Sequence, residues 1–266
     1  MGDERVALVA QVGSTATGRA VAAAAGGRGA RVLRENGGKD AILVDSGVDP
    51  RWAAGQVATG AFTSTGQLCT SVERVYLHED VAEEVLAALV EIAEALRVGD
   101  PQDPGTELGP LVDTRQRDVV ARHVEDAVAA GARLLTGGTV PDGPGAFYPP
   151  TVLTGCTPQM AVMTEETFGP VAAVTVVPDF ATALELADDG AYGLAATVLT
   201  PRLDHATAAV ERLDVGTVKV NAVFGGAPGG SADPRRGSGS GVGYGPDLLL
   251  AMTQLKAVHI ETAVTP

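Results

Sequence analysis

The sequence predicts an α/β fold with a largely parallel β-sheet. Short apolar segments with strand character alternate along the chain with longer segments in which apolar residues recur at helical spacing. Such alternation is typical of parallel strands that are joined by helices. The 266 residues and the hydrophobic content of 45% suffice for one large or two small domains with a buried core.

The first 36 residues are predicted to form one strand-helix-strand unit. A buried strand is expected at 5–10, a helix at 16–25 and a second strand at 31–34. Gly13 and Ser14 lie in the turn between the first strand and the helix. A single unit of this kind corresponds to the end of a doubly wound domain, the fold that commonly binds dinucleotides.

Alternating elements continue through the rest of the chain. Pro50 supports a helix start, and Glu83 three residues after Asp80 predicts a capping box. Nine glycines in the segment 225–245 predict a loop, whereas 255–262 alternates as a strand. The remaining strands are expected at 41–44, 72–77, near 134, near 152, and at 171–177, 195–199 and 218–221, and the helices at 50–61, 80–96, 114–130, 181–187 and 203–213.

Charge and composition exclude several classes of function. The net charge of −14 and the scattered positions of the 19 Lys and Arg residues leave no basic surface for nucleic acid or for an anionic membrane. No apolar run approaches the roughly 20 residues that a membrane span needs. We therefore expect a cytoplasmic protein in which Cys69 and Cys156 are free thiols, with no metal site.

Three short motifs carry the candidate chemistry: Glu-Asn-Gly-Gly-Lys at 35–39, Gly-Gln-Leu-Cys at 66–69 and Glu-Glu-Thr-Phe-Gly-Pro at 165–170. A thiolate is a strong nucleophile, and a base must take a proton from the thiol or from water. Cys69 and Glu35 are therefore the candidates for attack on a carbonyl group. A lone cysteine is more often a small buried hydrophobe, and none of the four histidines falls in a motif with Cys69.

The order and spacing of these motifs resemble those of the aldehyde dehydrogenases, and the resemblance extends from about Gly13 to about Glu261. It implies that Cys69 adds to an aldehyde, that hydride passes to NAD or NADP, and that water hydrolyses the acyl-enzyme. Glu35 would be the general base that activates this water. The loop around Cys69 is also expected to favour the thiolate through its backbone N–H groups.

The resemblance also implies a set of cofactor-binding residues. Gly13 and Ser14 would lie at a helix N-terminus beneath the cofactor phosphates, a position that favours anions. Glu166 and Phe168 would contact the ribose and the nicotinamide. The residues Gln-Val at 11–12 depart from the Phe-Thr that is usual in this family.

Three residues are candidates for substrate binding. Asn221 matches a family position near the substrate pocket, and Arg235 and Arg236 are candidates to bind a carboxylate or phosphate. Two arginines in a polar loop are, however, more often solvated. Asn36 departs from the apolar or small residue that family members usually carry after the base.

Full-length family members carry a long segment ahead of the residues that correspond to Gly13. The resemblance therefore divides this chain into a remnant of the dinucleotide-binding domain at 1–36, a catalytic thiol domain at 37–245, and a C-terminal helix with an oligomerisation strand at 246–266. We expect NAD(P) binding by this chain alone to be weak or absent. The missing segment would also remove one oxyanion donor, which typically costs on the order of 10²–10³ in rate.

Three functions remain open from the sequence. The chain is a thiol enzyme that acts on an aldehyde or acyl group, with redox capacity that is residual or supplied by a partner chain. The second alternative is a non-redox enzyme for hydrolysis, acyl transfer or condensation. The third is a catalytically silent subunit that only assembles. In each case the exposed strand edges predict a homodimer or a complex with a cofactor-binding chain.

Overall fold

The computed structural model describes residues 3–225 and 230–262. The helices of these residues are α1 (Thr15–Gly26), α2 (Pro50–Phe62), α3 (Glu79–Ala95), α4 (Thr114–Ala129), α5 (Ala161–Thr164), α6 (Phe180–Asp188), α7 (Leu203–Arg212) and α8 (Pro246–Ala251). The strands are β1 (Leu8–Val12), β2 (Arg31–Glu35), β3 (Asp40–Val44), β4 (Val72–His78), β5 (Arg133–Thr136), β6 (Thr151–Thr154), β7 (Val171–Val177), β8 (Tyr192–Gly193), β9 (Ala195–Leu199), β10 (Thr217–Val220), β11 (Arg235–Arg236) and β12 (Gly239–Ser240).

A seven-stranded sheet forms the centre of the molecule, in the order β10-β9-β3-β4-β7-β6-β5. Its neighbouring strands are parallel except for the antiparallel pair of β5 and β6. The predicted α/β class with a mostly parallel sheet is therefore confirmed.

Helices cover both faces of this sheet, and each face has its own apolar core. Ile42 of β3 packs into one core with residues of α2 and α3, such as Phe62 and Leu89. Leu43, the next residue along the strand, packs into the other core with Val120 of α4. A strand with both faces buried must be apolar at successive positions, which is why β3 lacks the usual polar alternation.

A smaller sheet has the order β1-β2-β12. β1 and β2 are parallel and joined by α1, as the predicted strand-helix-strand unit requires. Gly239 and Ser240 then pair antiparallel with β2. The predicted boundary at 36/37 placed these two residues with the larger unit, whereas the hydrogen-bonded ladder places them on the smaller sheet.

Three local predictions need correction. The first strand is Leu8–Val12 rather than 5–10, because Arg5 instead bonds to Asp3 through its backbone N–H and guanidinium. The capping box expected at Asp80 is absent, because His78 accepts the Asp80 N–H through Nδ1 and caps α3. The segment 255–262 is not a strand in the single chain, where it has no ladder partner among the described residues.

Candidate active site

The three motifs meet because each of them directly precedes one of three adjacent parallel strands. Lys39 is followed by β3, Cys69 lies three residues before β4, and the motif at 165–170 leads into β7. These strands are neighbours in the order β3-β4-β7, so their amino ends lie at one edge of the sheet. Three motifs spread over residues 35–170 are thereby brought to a single place.

A cleft of about 480 Å³ opens at this edge, between the large sheet and the smaller one. It contains both predicted catalytic residues and all four predicted cofactor-binding residues. Gln67, which belongs to the second motif, also lines the cleft. Gln116 and Val119 line it as well, but they lie outside the three motifs and no sequence signal marked them. The complete lining is Val12, Gly13, Ser14, Glu35, Asn36, Gly37, Gln67, Leu68, Cys69, Gln116, Val119, Glu166 and Phe168.

The loop that carries Cys69 has an unusual backbone. Ser64, Thr65 and Gly66 are three successive residues in the left-handed region, with φ angles of 55°, 57° and 69°. A β-branched residue such as Thr65 rarely adopts this conformation. Its hydroxyl donates to the Gly109 carbonyl at 3.1 Å, and the Gln67 side chain accepts the Val112 N–H at 2.8 Å. These bonds fix the turn from which Cys69 projects.

Cys69 is solvent-accessible, whereas Cys156 is buried, and both are free thiols. Partial desolvation at the cleft, followed by the carboxylates of Asp40 and Glu35, raises the pKa of Cys69. The expectation of a favoured thiolate is therefore wrong, because desolvation, together with these carboxylates, outweighs the backbone N–H beside the sulfur. Burial raises the pKa of Cys156 to about 11, in keeping with its predicted structural role.

Glu35 is the last residue of β2 and is half-buried at the cleft. Burial raises the pKa of its carboxyl group, and Asp233 raises it further through charge repulsion. Gly243 packs directly on this carboxylate: a Cβ at Gly243 would lie 2.0 Å from Glu35 Oε1. The glycine-rich segment thus covers the candidate base, and a raised pKa suits a carboxylate that accepts protons near neutral pH.

Glu166 faces the first motif from the opposite side of the cleft. Its Oε1 accepts the Gly38 N–H at 3.1 Å, and a Cβ at Gly37 would lie 2.1 Å from Oε2. The glycine pair is therefore needed for this close approach. Burial and then the Glu73 charge raise the pKa of Glu166 to about 7. The backbone of Phe168 lies in the left-handed region, with φ 51°.

Gly13 and Ser14 form the start of α1 on the third side of the cleft. Ser14 is the N-cap, and its hydroxyl oxygen accepts the Thr17 N–H at 3.2 Å. Gly13 has φ +150° and donates its N–H to the Glu35 carbonyl at 3.0 Å. The N-terminus of a 12-residue helix therefore faces the same cleft as the thiol, and it is a favourable place for an anion.

The predicted substrate residues are not among those that line the cleft. Asn221 exchanges hydrogen bonds with the Thr200 backbone, at 2.8 and 2.9 Å. Arg235 pairs with Asp214 at 3.2 Å. Arg236 pairs with Asp214 and Asp188, both at 3.0 Å. Their guanidinium groups are thus engaged within the protein, and their role in substrate binding remains a prediction.

Asp40 is a site residue that sequence reasoning missed, although it directly follows the first motif. It is buried, its Oδ1 accepts the Ala195 N–H at 3.0 Å, and its Oδ2 has no hydrogen-bond partner. A Cβ at Gly38 would lie 3.0 Å from Asp40 Oδ1 and 2.4 Å from the Cys69 carbonyl oxygen. Burial raises the pKa of Asp40 to about 8, so it is largely protonated at neutral pH.

Two features are absent from the part of the chain that the structure describes, a membrane-spanning helix and a metal-binding cluster. None of its helices combines the length and apolar character needed to cross a membrane. Nor do its His, Cys, Asp and Glu side chains form a group of three or more that is arranged to hold a metal ion.

The fold and the cleft define a class of protein: an α/β protein with an accessible thiol at the amino ends of parallel strands, faced by two carboxylates and a helix N-terminus. Comparison with known families identifies it further. Residues 1–258 match the aldehyde dehydrogenase family, and the chain belongs to that family.

Relatives and solved structures agree with this assignment. The NAD(P)+ succinate semialdehyde dehydrogenase Sad of Escherichia coli (strain K12) is 40% identical over 219 residues, which are 82% of this chain and 47% of the relative. Betaine aldehyde dehydrogenase of Sinorhizobium fredii is 38% identical over 263 residues, which are 96% of this chain and 53% of the relative. The chain thus spans about half the length of the curated relatives it matches.

Two solved structures show the same architecture. Lactaldehyde dehydrogenase from Escherichia coli superimposes with a TM-score of 0.94 at 31% identity, over 98% of this chain and 55% of that one. Betaine aldehyde dehydrogenase from Staphylococcus aureus, in complex with NAD+, has a TM-score of 0.89 at 29% identity, over 94% of this chain and 50% of that one.

Proposed function

We propose that this chain forms a covalent adduct between Cys69 and an aldehyde or acyl carbonyl, with Glu35 as general base. The observation that carries the proposal is the meeting of an accessible thiol and a half-buried carboxylate in one cleft. The raised pKa of Glu35 makes this carboxylate a stronger base than a solvated glutamate.

The same cleft fits one end of a nicotinamide dinucleotide. The α1 N-terminus at Ser14 would hold a phosphate group, Glu166 would bind ribose hydroxyls, and Phe168 would lie against the nicotinamide. Gly13 has no side chain to cover the start of this helix. Only one strand-helix-strand unit supports this site in the described residues, and we therefore propose millimolar or weaker affinity.

Attack begins from the neutral thiol, because the raised pKa of Cys69 keeps its proton in place at rest. Solvent takes this proton as the sulfur bonds to the carbonyl carbon, and the carbonyl π electrons move to oxygen. The Cys69 backbone N–H, which lies beside its own sulfur, is the donor available to the developing oxyanion. Glu166 and Phe168 would hold the nicotinamide end of the cofactor, which would supply the hydride acceptor needed to convert the Cys69 adduct into a thioester.

Hydrolysis of the thioester needs Glu35 as the general base. Glu35 takes a proton from water as the water oxygen attacks the acyl carbon. The carbon–sulfur bond then breaks, the carboxylic acid leaves, and the thiolate recovers a proton from Glu35. With an activated ester, Cys69 attacks the carbonyl, the thiol proton passes to solvent, and the alcohol leaves to give the same thioester without hydride transfer. Cofactor-independent hydrolysis is therefore the second function that the cleft supports.

We also propose that the chain works as a homodimer or in a complex with a cofactor-binding chain. β1 pairs only with β2 among the described strands, so its other edge is open. The apolar side chains Leu255, Val258 and Ile260 are exposed. Open edges and apolar segments of this kind favour pairing with another chain.

An aldehyde panel tests the proposed chemistry. The purified chain is mixed with succinate semialdehyde, betaine aldehyde and lactaldehyde, with and without NAD(P), and NAD(P)H absorbance and product mass are followed. We expect a slow cofactor-dependent oxidation, or a Cys69 adduct without oxidation when cofactor binding is too weak. Absence of both turnover and adduct, with wild-type folding retained, would favour the assembly subunit.

A further inference from the structure

The strongest feature outside the described chemistry is a buried polar network behind the cleft. Lys39 Nζ and Glu73 Oε2 form an ion pair at 2.6 Å, and their side chains are 2% and 3% exposed. Lys39 belongs to the motif at 35–39 that contains Glu35, and Glu73 lies four residues after Cys69. The ion pair therefore ties the segment of Glu35 to the segment of Cys69.

The Glu73 carboxylate also holds the third motif. Its Oε2 accepts the Thr167 N–H at 2.7 Å, and its Oε1 accepts the Phe168 N–H at 2.8 Å. Both oxygens are thus used by successive backbone N–H groups next to Glu166. Two such bonds to one charged carboxylate fix the plane of these peptides, because charge-assisted bonds are shorter and stronger than neutral ones.

The network continues to His123 with a defined direction. Lys39 Nζ donates to Thr167 Oγ1 at 3.1 Å, so the threonine hydroxyl is free to donate onward to His123 Nδ1 at 3.2 Å. This direction requires a neutral imidazole. Burial and then the Lys39 charge lower the pKa of His123, so the ring stays neutral at physiological pH.

The segment that these bonds hold is backbone-strained and in contact with the nucleophile loop. Phe168 has φ 51°, a conformation that is uncommon for a bulky residue and persists only where surrounding contacts enforce it. Gln116 adds a hydrogen bond to the Thr167 carbonyl at 2.8 Å. A Cβ at Gly66 would lie 2.1 Å from the Gly169 carbonyl oxygen, so a shift of this segment would reach the Cys69 turn.

We propose that Glu73 is a positioning residue that holds Glu166 and Phe168 toward the cleft, with Lys39 as its required counter-ion. The proposal rests on the function proposed above. Glu73 itself touches no substrate; it acts through the two backbone N–H groups that it accepts. A carboxylate is needed because it offers two acceptor oxygens, whereas a Gln side chain would turn its NH₂ group toward one of the two N–H donors.

Three variants separate positioning from simple charge burial. Glu73→Gln leaves Lys39 as an unpaired buried charge, and Lys39→Met leaves Glu73 unpaired, so each should lose stability. The double variant Glu73→Gln/Lys39→Met removes both charges and should regain most of that stability. It should still lack the second acceptor for the Thr167 and Phe168 N–H groups. Glu91→Gln, in an exposed ion pair with Arg51, is the matched control that should change nothing.

The readouts are hydrogen exchange and kinetics. Exchange at the amides of Thr167 and Phe168 should rise about tenfold or more in Glu73→Gln and in the double variant, the equivalent of one lost charge-assisted bond. If the chain oxidises aldehydes, the KM for NAD(P) should rise by a similar factor while activated-ester hydrolysis changes less than about threefold. If the double variant regained both its stability and the wild-type hydrogen exchange, Glu73 would serve only as the charge partner of Lys39. That result would overturn the proposal. Absence of both oxidation and a Cys69 adduct in the wild type counts against the proposed function alone, because the exchange experiment still decides this inference.

Discussion

The surroundings of Cys69 decide how its thiol reacts. Desolvation at the cleft raises the pKa of this thiol most, and Asp40 and Glu35 raise it further, so its reactivity should increase with pH. Cys156 has a pKa of about 11 and is buried. The two thiols of the chain therefore differ in access and in ionisation, and both differences favour Cys69.

Limiting iodoacetamide should label Cys69 before Cys156, because alkylation requires an accessible thiolate. Glu35→Gln should speed Cys69 labelling at pH 7, since one of the negative charges that disfavour the thiolate is gone. Peptide mass mapping against time and pH measures both effects. First labelling at Cys156 would contradict the site assignment.

Asp40 should make the protein less stable as the pH rises. Its pKa is raised from 3.8 to about 8, so between these values the unfolded chain has lost a proton that the folded chain keeps. Stability contributed by this group is complete below about pH 4 and is lost as the pH rises through about 8. Asp40→Asn keeps an acceptor for the Ala195 N–H and should gain roughly 3–4 kcal/mol at pH 8 relative to pH 5.

Denaturant unfolding at pH 5 and pH 8 measures this difference. Asp247→Asn provides the control, because it makes the same substitution at an exposed carboxyl group. An Asp40→Asn variant with the wild-type slope would show that Asp40 is already ionised in the folded protein.

Site residues were predictable where their signal is local in the sequence. Cys69, Glu35, Glu166 and Phe168 stand in short motifs, and the structure places all four in one cleft. Glu73 gave no such signal, because the N–H groups that it accepts belong to residues 94 and 95 positions further on.

At the scale of elements, the left-handed turn before Cys69 is the most constrained segment. Gly66 has φ 69°, and a Cβ there would lie 2.1 Å from a backbone oxygen that cannot move aside cheaply. Gly66→Ala should therefore cost about 3 kcal/mol, from the left-handed backbone and the clash together. It should also slow Cys69 alkylation or make it heterogeneous, because the turn fixes the thiol.

Gly55→Ala is the matched control. Gly55 lies inside α2 with nothing within 4 Å of a new Cβ, so the substitution should stabilise the protein by about 0.5–1 kcal/mol. Denaturant midpoints compare the two variants. A Gly66→Ala protein as stable as wild type would mean that the turn relaxes without cost.

Most helices and strands were predictable, because their apolar periodicity reflects burial on the two faces of one sheet. β9 has the predicted bounds, and α4 differs by one residue. Edges that depend on distant partners were not predictable. β12 forms because residues 239–240 pair with β2, which lies some 200 positions earlier. The segment 255–262 forms no strand because it has no ladder partner among the described residues.

At the scale of the whole molecule, the exposed C-terminal segment predicts assembly. Leu255, Val258 and Ile260 are 104%, 70% and 81% exposed, and apolar surface costs about 25 cal/mol per Å² when it stays in water. Deletion from Leu255 onward should shift sedimentation to a monomer or cause aggregation. An intact protein that sediments as a monomer at micromolar concentration would refute the homodimer.

The central claim is that three separate motifs assemble a thiol and a base that process a covalent acyl adduct. The most direct test is the reaction of the chain with an activated ester such as p-nitrophenyl acetate, followed by stopped-flow absorbance and intact mass. Wild type should give a burst of product, an acyl group on Cys69 and then steady turnover. Glu35→Gln should keep the burst and slow the steady state by about 10²-fold or more, because it lacks the base for water. A Glu35→Gln protein that loses the burst together with turnover, or an acyl group found on a residue other than Cys69, would contradict the account.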